Sequence, residues 1–170
     1  FNWTMTYRLD SDIEAVYFNV LSKSGNIIAP AENPQWITPD LKNDNLESFY
    51  HLYEKKSKSI AWFVSNCNSH NQREKYVRNL RRYINIDIYG ACGTHKCPRN
   101  KENECFDLLK NDYYFYLSFE NSNCKDYVTE KVTNAMNNDV IPVVFGGANY
   151  TNFLPPHSYI DASKIPPEKL

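Results

Sequence analysis

The chain has 170 residues, 42% hydrophobic and 15% aromatic, with 13 Tyr and 9 Phe to fill a core, so it is one domain or a piece of a larger protein. A formal net charge of −1 argues against nucleic acid or an anionic membrane as the main partner, and any cationic site must be local. Glycine is scarce, five in all, and with neither GxGxxG nor a Walker loop present a dinucleotide dehydrogenase or P-loop NTPase is disfavoured.

Residues 1–57 are polar and irregular, with Pro30, Pro34 and Pro39 and the run Asn43-Asp44-Asn45. LESFYHLYEKKSKS (46–59) predicts a helix with a basic tail, which suits a helix C-terminus. KSIAWFVS (58–65) is a short apolar run bounded by turn residues, the pattern of a buried parallel strand. NSHNQREKYVRNLRRYI (68–84) places Tyr76, Leu80 and Tyr83 at helical spacing, with Val77 and Ile84 extending that face. INIDIYG (84–90) alternates as a strand, and ENECFDLLKN (102–111) predicts a short helix after a cysteine-bearing loop.

The strand YYFYLSFE (113–120), the helix DYVTEKVTNAMNN (126–138) and the strand VIPVVFG (140–146) follow. A short helix near 150–154 and a strand SYIDAS (158–163) close the pattern. This alternation predicts an α/β fold with a parallel, doubly wound sheet, in which ligands bind at the carboxyl ends of strands. No apolar run reaches the roughly 18 residues of a membrane helix, and no signal peptide opens the chain. With no starting Met, and with IPPEKL stopping where a helix is about to begin, the sequence is expected to be a fragment of a longer protein.

The stretch with most chemistry is FENSNCKDYVTEK (119–131). Glu120, Asn121 and Ser122 leave one strand, and Thr129, Glu130 and Lys131 fall in the early turns of the next helix, with Asp126 placed to cap it. Lys131 brings a positive charge to the positive end of a helix dipole, which is sensible if an anion sits there. A solvated first turn with an ordinary cap reads equally well from spacing alone. Upstream, Asn66 can leave its strand in a turn conformation that most residues avoid, and the Arg73 guanidinium can swing over the same sheet edge, where its fork suits a phosphate. The neighbours Arg78, Arg81 and Arg82 leave that assignment open.

Asp10-Ser11-Asp12 spells DxD, a string some metal-dependent glycosyltransferases use to hold Mn-diphosphate, but no convincing apolar strand precedes it. Gly146-Gly147 reads first as a strand-end turn and second as room for a nucleotide. Five cysteines, at 67, 92, 97, 105 and 124, are an odd number. The spacing of Cys92, Cys97 and Cys105 leaves disulfides and free thiols open and disfavours zinc. Asn2 and Asn149 head N-x-[ST] triplets and are candidate N-glycosylation sites.

FENSNCKDYVTEK followed by VIPVVFGG resembles the signature of the α1,3-fucosyltransferases, glycosyltransferase family 10. FVSNCNSHNQR, INIDIYGACG and FNWTMTYRLDSDI resemble further blocks of that family in the expected order. The SNC, GACG and NSNCKDY variants look closer to the invertebrate and plant core-type enzymes than to vertebrate Lewis-type ones. The resemblance implies a two-domain GT-B fold, with 1–57 as the end of the acceptor-side domain and linker. Residues 58–170 are then a Rossmann-like C-terminal donor domain, truncated at its own C-terminus.

It also implies GDP-β-L-fucose as donor and inverting α1,3 transfer to GlcNAc of an N-glycan or LacNAc-type glycoprotein. By motif position Arg73 and Lys131 hold the diphosphate, Glu130 binds ribose or fucose hydroxyls, Tyr127 lines the nucleotide site and Asn121 helps shape it. No metal is required, with a divalent cation such as Mn a stimulant at most. The family's catalytic base is a carboxylate upstream of Phe1, so no Asp or Glu of this chain is assigned as base and the fragment alone is expected to be inactive. The family also implies a Golgi membrane location, lumenal side, through an anchor absent from this chain. The alternative from the residues is a non-catalytic nucleotide- or glycan-binding module.

Overall fold

Residues 2–38 and 46–170 are described by the structure, a computed structural model. The expectations for Pro39 and for 43–45 lie outside the described residues. In the amino-terminal segment β1 (Met5–Thr6) pairs in parallel with β2 (Ile13–Glu14), and β3 (Val20–Leu21) pairs antiparallel with β4 (Ile27–Ala29). Helix α1 (Leu46–Glu54) leads into the main unit. That unit runs β5 (Lys58–Phe63), α2 (Arg73–Leu80), β6 (Ile86–Tyr89), α3 (Glu102–Asp112), β7 (Tyr113–Phe119), α4 (Glu130–Met136), β8 (Ile141–Phe145) and β9 (Ile160–Asp161).

The five strands form one parallel sheet in the order β6-β5-β7-β8-β9. The chain moves outward from β5 to β6, then returns to the other side of β5 for β7 and continues to β8 and β9. The strand order therefore reverses between β5 and β7, and their carboxyl ends open a crevice at that switch point.

Burial follows the pleat. Ile60 and Trp62 of β5 join Val77 and Leu80 of α2 with Leu117, Phe119 and Val143, while Ala61 joins Tyr116, Leu109 of α3 and Ala135 of α4. These two clusters sandwich the sheet between helices, as parallel strands require. A third cluster of Val128, Val132, Val144, Tyr150, Phe153 and Leu154 takes in Leu9 and Phe18, so the amino-terminal segment packs against the region around α4.

The structure corrects several boundaries. Helix α2 ends at Leu80, and the chain turns away through residues 81–84, so Tyr83 is 63% exposed instead of buried. Lys56 is no solvated tail residue: it is buried, and its ammonium donates to the Lys110 carbonyl. Helix α4 starts three residues later than the Asp126 cap predicts, at Glu130 with Thr129 as its cap. Asp126 instead sits in a left-handed turn (φ 59°) and accepts from the Leu9 amide. Residues 150–152 and 162–164 are 3-10 turns, and only Ile160–Asp161 of the last predicted strand pairs.

Candidate functional site

The crevice between β5 and β7 is bounded by two loops, 64–72 after β5 and 120–129 after β7. Arg73, the first residue of α2, ties them together. Its Nη1 donates to the Phe119 carbonyl at 2.6 Å and Nη2 to the Asn66 carbonyl at 3.0 Å, with Nε on Glu74 at 3.3 Å. The guanidinium lies over the Trp62 ring, 5.5 Å from its centroid, and the residue is buried. A buried cation needs such partners, and the planar fork of Arg, with five N–H donors spread over three nitrogens, suits acceptors on both loops at once.

Asn71 adds a second stitch, donating to the Glu120 carbonyl at 2.7 Å and to Asn123 Oδ1 at 3.3 Å. Gly147 closes the far side: a Cβ there lies 2.5 Å from the Asn123 carbonyl carbon, so the loops approach only over a glycine.

Lys131 is held by a short polar ring. Its Nζ donates to Thr129 Oγ1 at 2.7 Å and lies 3.0 Å from Glu120 Oε2. The same Glu120 carboxylate accepts from the Thr129 amide at 2.8 Å and from the Thr129 hydroxyl at 2.9 Å. Glu120 is 1% exposed, and burial holds its carboxyl above the usual glutamate value against the opposing pull of Lys131. Thus α4 is capped from the end of β7, nine residues upstream, and not by a local side chain.

The sequence-predicted residues distribute as follows. Arg73 and Lys131 engage adjacent residues, Phe119 and Glu120, at the end of β7. Glu130 is exposed, its oxygen 3.5 Å from Lys131 Nζ. Tyr127 is half-buried, with its ring 5.0 Å from Tyr7 and 5.9 Å from Tyr17. Burial and the neighbouring Tyr17 keep its hydroxyl protonated. Asn121 sits half-buried at the start of the same loop. Asn66 does not take the left-handed turn expected of it; Gln72, just before α2, does so with φ 59°.

The Asp10-Ser11-Asp12 carboxylates are already occupied. Asp10 pairs with Arg8 and with Lys125, and Asp12 accepts from the Thr4 amide and hydroxyl. Among the described residues no group of three or more His, Cys, Asp or Glu converges as a metal site. The cysteines resolve into Cys67–Cys92 and Cys97–Cys105, with Cys124 free and exposed. Cys67, which spacing did not single out, joins the loops after neighbouring strands β5 and β6. Asn2 and Asn149 are both exposed.

Three residues escaped sequence reasoning: Glu120 as a cap, Asn71 as a stitch, and Tyr150, whose buried hydroxyl finds no hydrogen-bond partner. A usable signal existed for Glu120, since a carboxylate directly after a largely buried strand needs a cation or several amides.

Comparison with known proteins places the chain. The family model "Glycosyltransferase family 10 (fucosyltransferase) C-term" matches residues 53–170. The chain belongs to glycosyltransferase family 10. Its family relatives include the Drosophila melanogaster α-(1,3)-fucosyltransferase C, 46% identical over 97% of this chain and 39% of that protein. Glycoprotein 3-α-L-fucosyltransferase A of the same species is 44% identical over 96% of the chain and 30% of its own length. The mouse α-(1,3)-fucosyltransferase 4 is 35% identical. The family member described here therefore spans 39% or less of those two insect relatives. A crystal structure of an α1,3-fucosyltransferase with GDP-fucose shares its fold, with TM-score 0.52 and 21% identity over 68% of this chain and 36% of that one.

Proposed function

We propose that the protein carrying this chain transfers L-fucose from GDP-β-L-fucose, with inversion, in α1,3 linkage to GlcNAc of glycoprotein glycans. This chain supplies the donor-binding half. The observation that carries the reading is the pair of cations braced on consecutive residues at the carboxyl end of β7 in the switch-point crevice, Arg73 on Phe119, the last residue of the strand, and Lys131 on Glu120, the first residue after it. The names of the Drosophila relatives supply the sugar and the linkage.

In this reading Lys131 and an N–H of Arg73 that its protein contacts leave over meet the diphosphate. Of the five N–H donors of a guanidinium, the three contacts of Arg73 leave two. As the bond from fucose C1 to the β-phosphate oxygen breaks, the leaving GDP gains negative charge, and fixed cations stabilise it without reorganising. The exposed Glu130 carboxylate accepts from ribose or fucose hydroxyls, Tyr127 offers its ring to the nucleotide, and Asn121 shapes the loop. The acceptor hydroxyl attacks C1 from the opposite face and loses its proton to a base outside this chain. No metal takes part in these steps, and Mn acts at most as a stimulant. The proposed setting is the Golgi lumen, with membrane attachment through a segment outside the chain; among the described residues no helix is long and apolar enough to cross a membrane.

The test is transfer from GDP-fucose by the full-length protein, with N-glycans bearing a free innermost GlcNAc and with LacNAc as acceptors, each with and without chelator. The reading predicts α1,3-fucosylated product that persists in chelator. GDP binding with no transfer to either acceptor contradicts it and identifies a binding module.

A further inference from the structure

We infer that Glu120 is the positioning residue for Lys131. Its buried carboxylate and the Thr129 hydroxyl fix two directions of the ammonium and leave only the third for a ligand. The inference rests on the proposed role of Lys131 at the donor diphosphate.

The geometry of the ring carries it. Of the three Lys131 contacts, those to Thr129 Oγ1 (2.7 Å) and Glu120 Oε2 (3.0 Å) go to buried residues, while the third, to Glu130 Oε1, is 3.5 Å long and reaches a side chain 60% exposed. An incoming anion therefore competes with Glu130 alone. When it takes the third N–H, Glu130 is released at the same moment for a hydroxyl of the same ligand.

Glu120 itself has little freedom. A Cβ on Gly146 lies 3.4 Å from both Cβ and Cγ of Glu120 and 2.6 Å from Tyr150 Oη, so the glutamate stem fills the space that glycine leaves. Its carboxylate is fixed by the Thr129 amide and hydroxyl. The charge points to a role beyond capping. A neutral amide oxygen accepts from the Thr129 amide as well, so a Gln serves the helix, but without the charge of a carboxylate it holds an ammonium far more weakly. Burying a carboxylate at this position is costly, and the cation it holds is the group with a use for it.

A thermodynamic cycle in the full-length protein tests this, with GDP binding measured by titration calorimetry for wild type, Glu120→Gln, Lys131→Met and the double variant. The positioning role predicts losses of about tenfold for Glu120→Gln and about 30-fold for Lys131→Met, with the double variant no weaker than Lys131→Met. A structural role for Glu120 independent of Lys131 gives multiplying losses instead, about 300-fold in the double, and overturns the inference. So does wild-type affinity in Glu120→Gln beside a weak Lys131→Met. If melting shows Glu120→Gln unfolded, Thr129→Val removes the second contact of the ammonium, and the same comparison decides with it. Wild type that binds no GDP overturns the functional reading and this inference with it.

Discussion

Arg73 donates from Nη1 to the carbonyl of Phe119, 2.6 Å away, and so fastens the start of α2 to the last residue of β7. With Nη2 on the Asn66 carbonyl, one side chain holds both loops of the crevice. A site built this way uses the same residue to shape the pocket and to charge it.

Arg73→Lys tests that double use. A lysine keeps the charge but loses the fork, and leaves the Phe119 and Asn66 carbonyls short of a buried donor. The expected loss of folding stability is about 3 kcal/mol, measured by denaturant unfolding, together with weaker GDP binding. Unchanged stability in Arg73→Lys contradicts the bracing role.

The disulfide Cys67–Cys92 closes a 25-residue separation and anchors the loop that carries Asn66 and Asn71. Cys67→Ser with Cys92→Ser is expected to lower stability by about 3 kcal/mol, read from chemical unfolding without reductant. Thiol labelling of the native, unreduced chain is expected to modify Cys124, the cysteine outside both pairs. Labelling of Cys67 or Cys92 under those conditions contradicts the pairing.

How much of this was legible before the fold is best seen residue by residue. Ile60, Trp62 and Leu117 lie in short apolar runs bounded by turns, and that pattern alone places them in buried parallel strands. Lys131 and Arg73 stood out because they follow those strands, where ligands of such sheets bind. The start of α4 was not legible, because its amide cap is Glu120, nine residues upstream of Thr129 and just past the end of β7, while Asp126 offers a misleading local one. The partner of Cys92 was hidden for a similar reason: Cys67 becomes its neighbour only when β5 and β6 pair. The Asp10 and Asp12 string carries little weight as a metal site because no apolar strand precedes it, but that Lys125 and Thr4 occupy those carboxylates is visible only in the fold.

Those two carboxylates also give a pH prediction. Asp10, beside Arg8 and Lys125, and Asp12, accepting from the Thr4 amide and hydroxyl, both titrate below the usual 3.8. A depressed folded value means that their contribution is fully present above about pH 4 and is lost as pH falls through the lowered values. The amino-terminal segment, which Asp10 joins to Lys125 in the site loop, is therefore expected to loosen below about pH 4. Both carboxylates are exposed, so salt is expected to weaken the same contact. Hydrogen-exchange protection of the Leu9 and Ile13 amides at pH 7 and pH 3 measures it; equal protection at both contradicts the assignment.

The most direct test of the central claim, that the β5–β7 crevice holds a diphosphate on Lys131, compares GDP with GMP by calorimetry in wild type and in Lys131→Ala. The account predicts that wild type prefers GDP by at least about tenfold and that Lys131→Ala loses most of this preference, while GMP affinity changes little. An equal GDP-to-GMP ratio in the two proteins contradicts it.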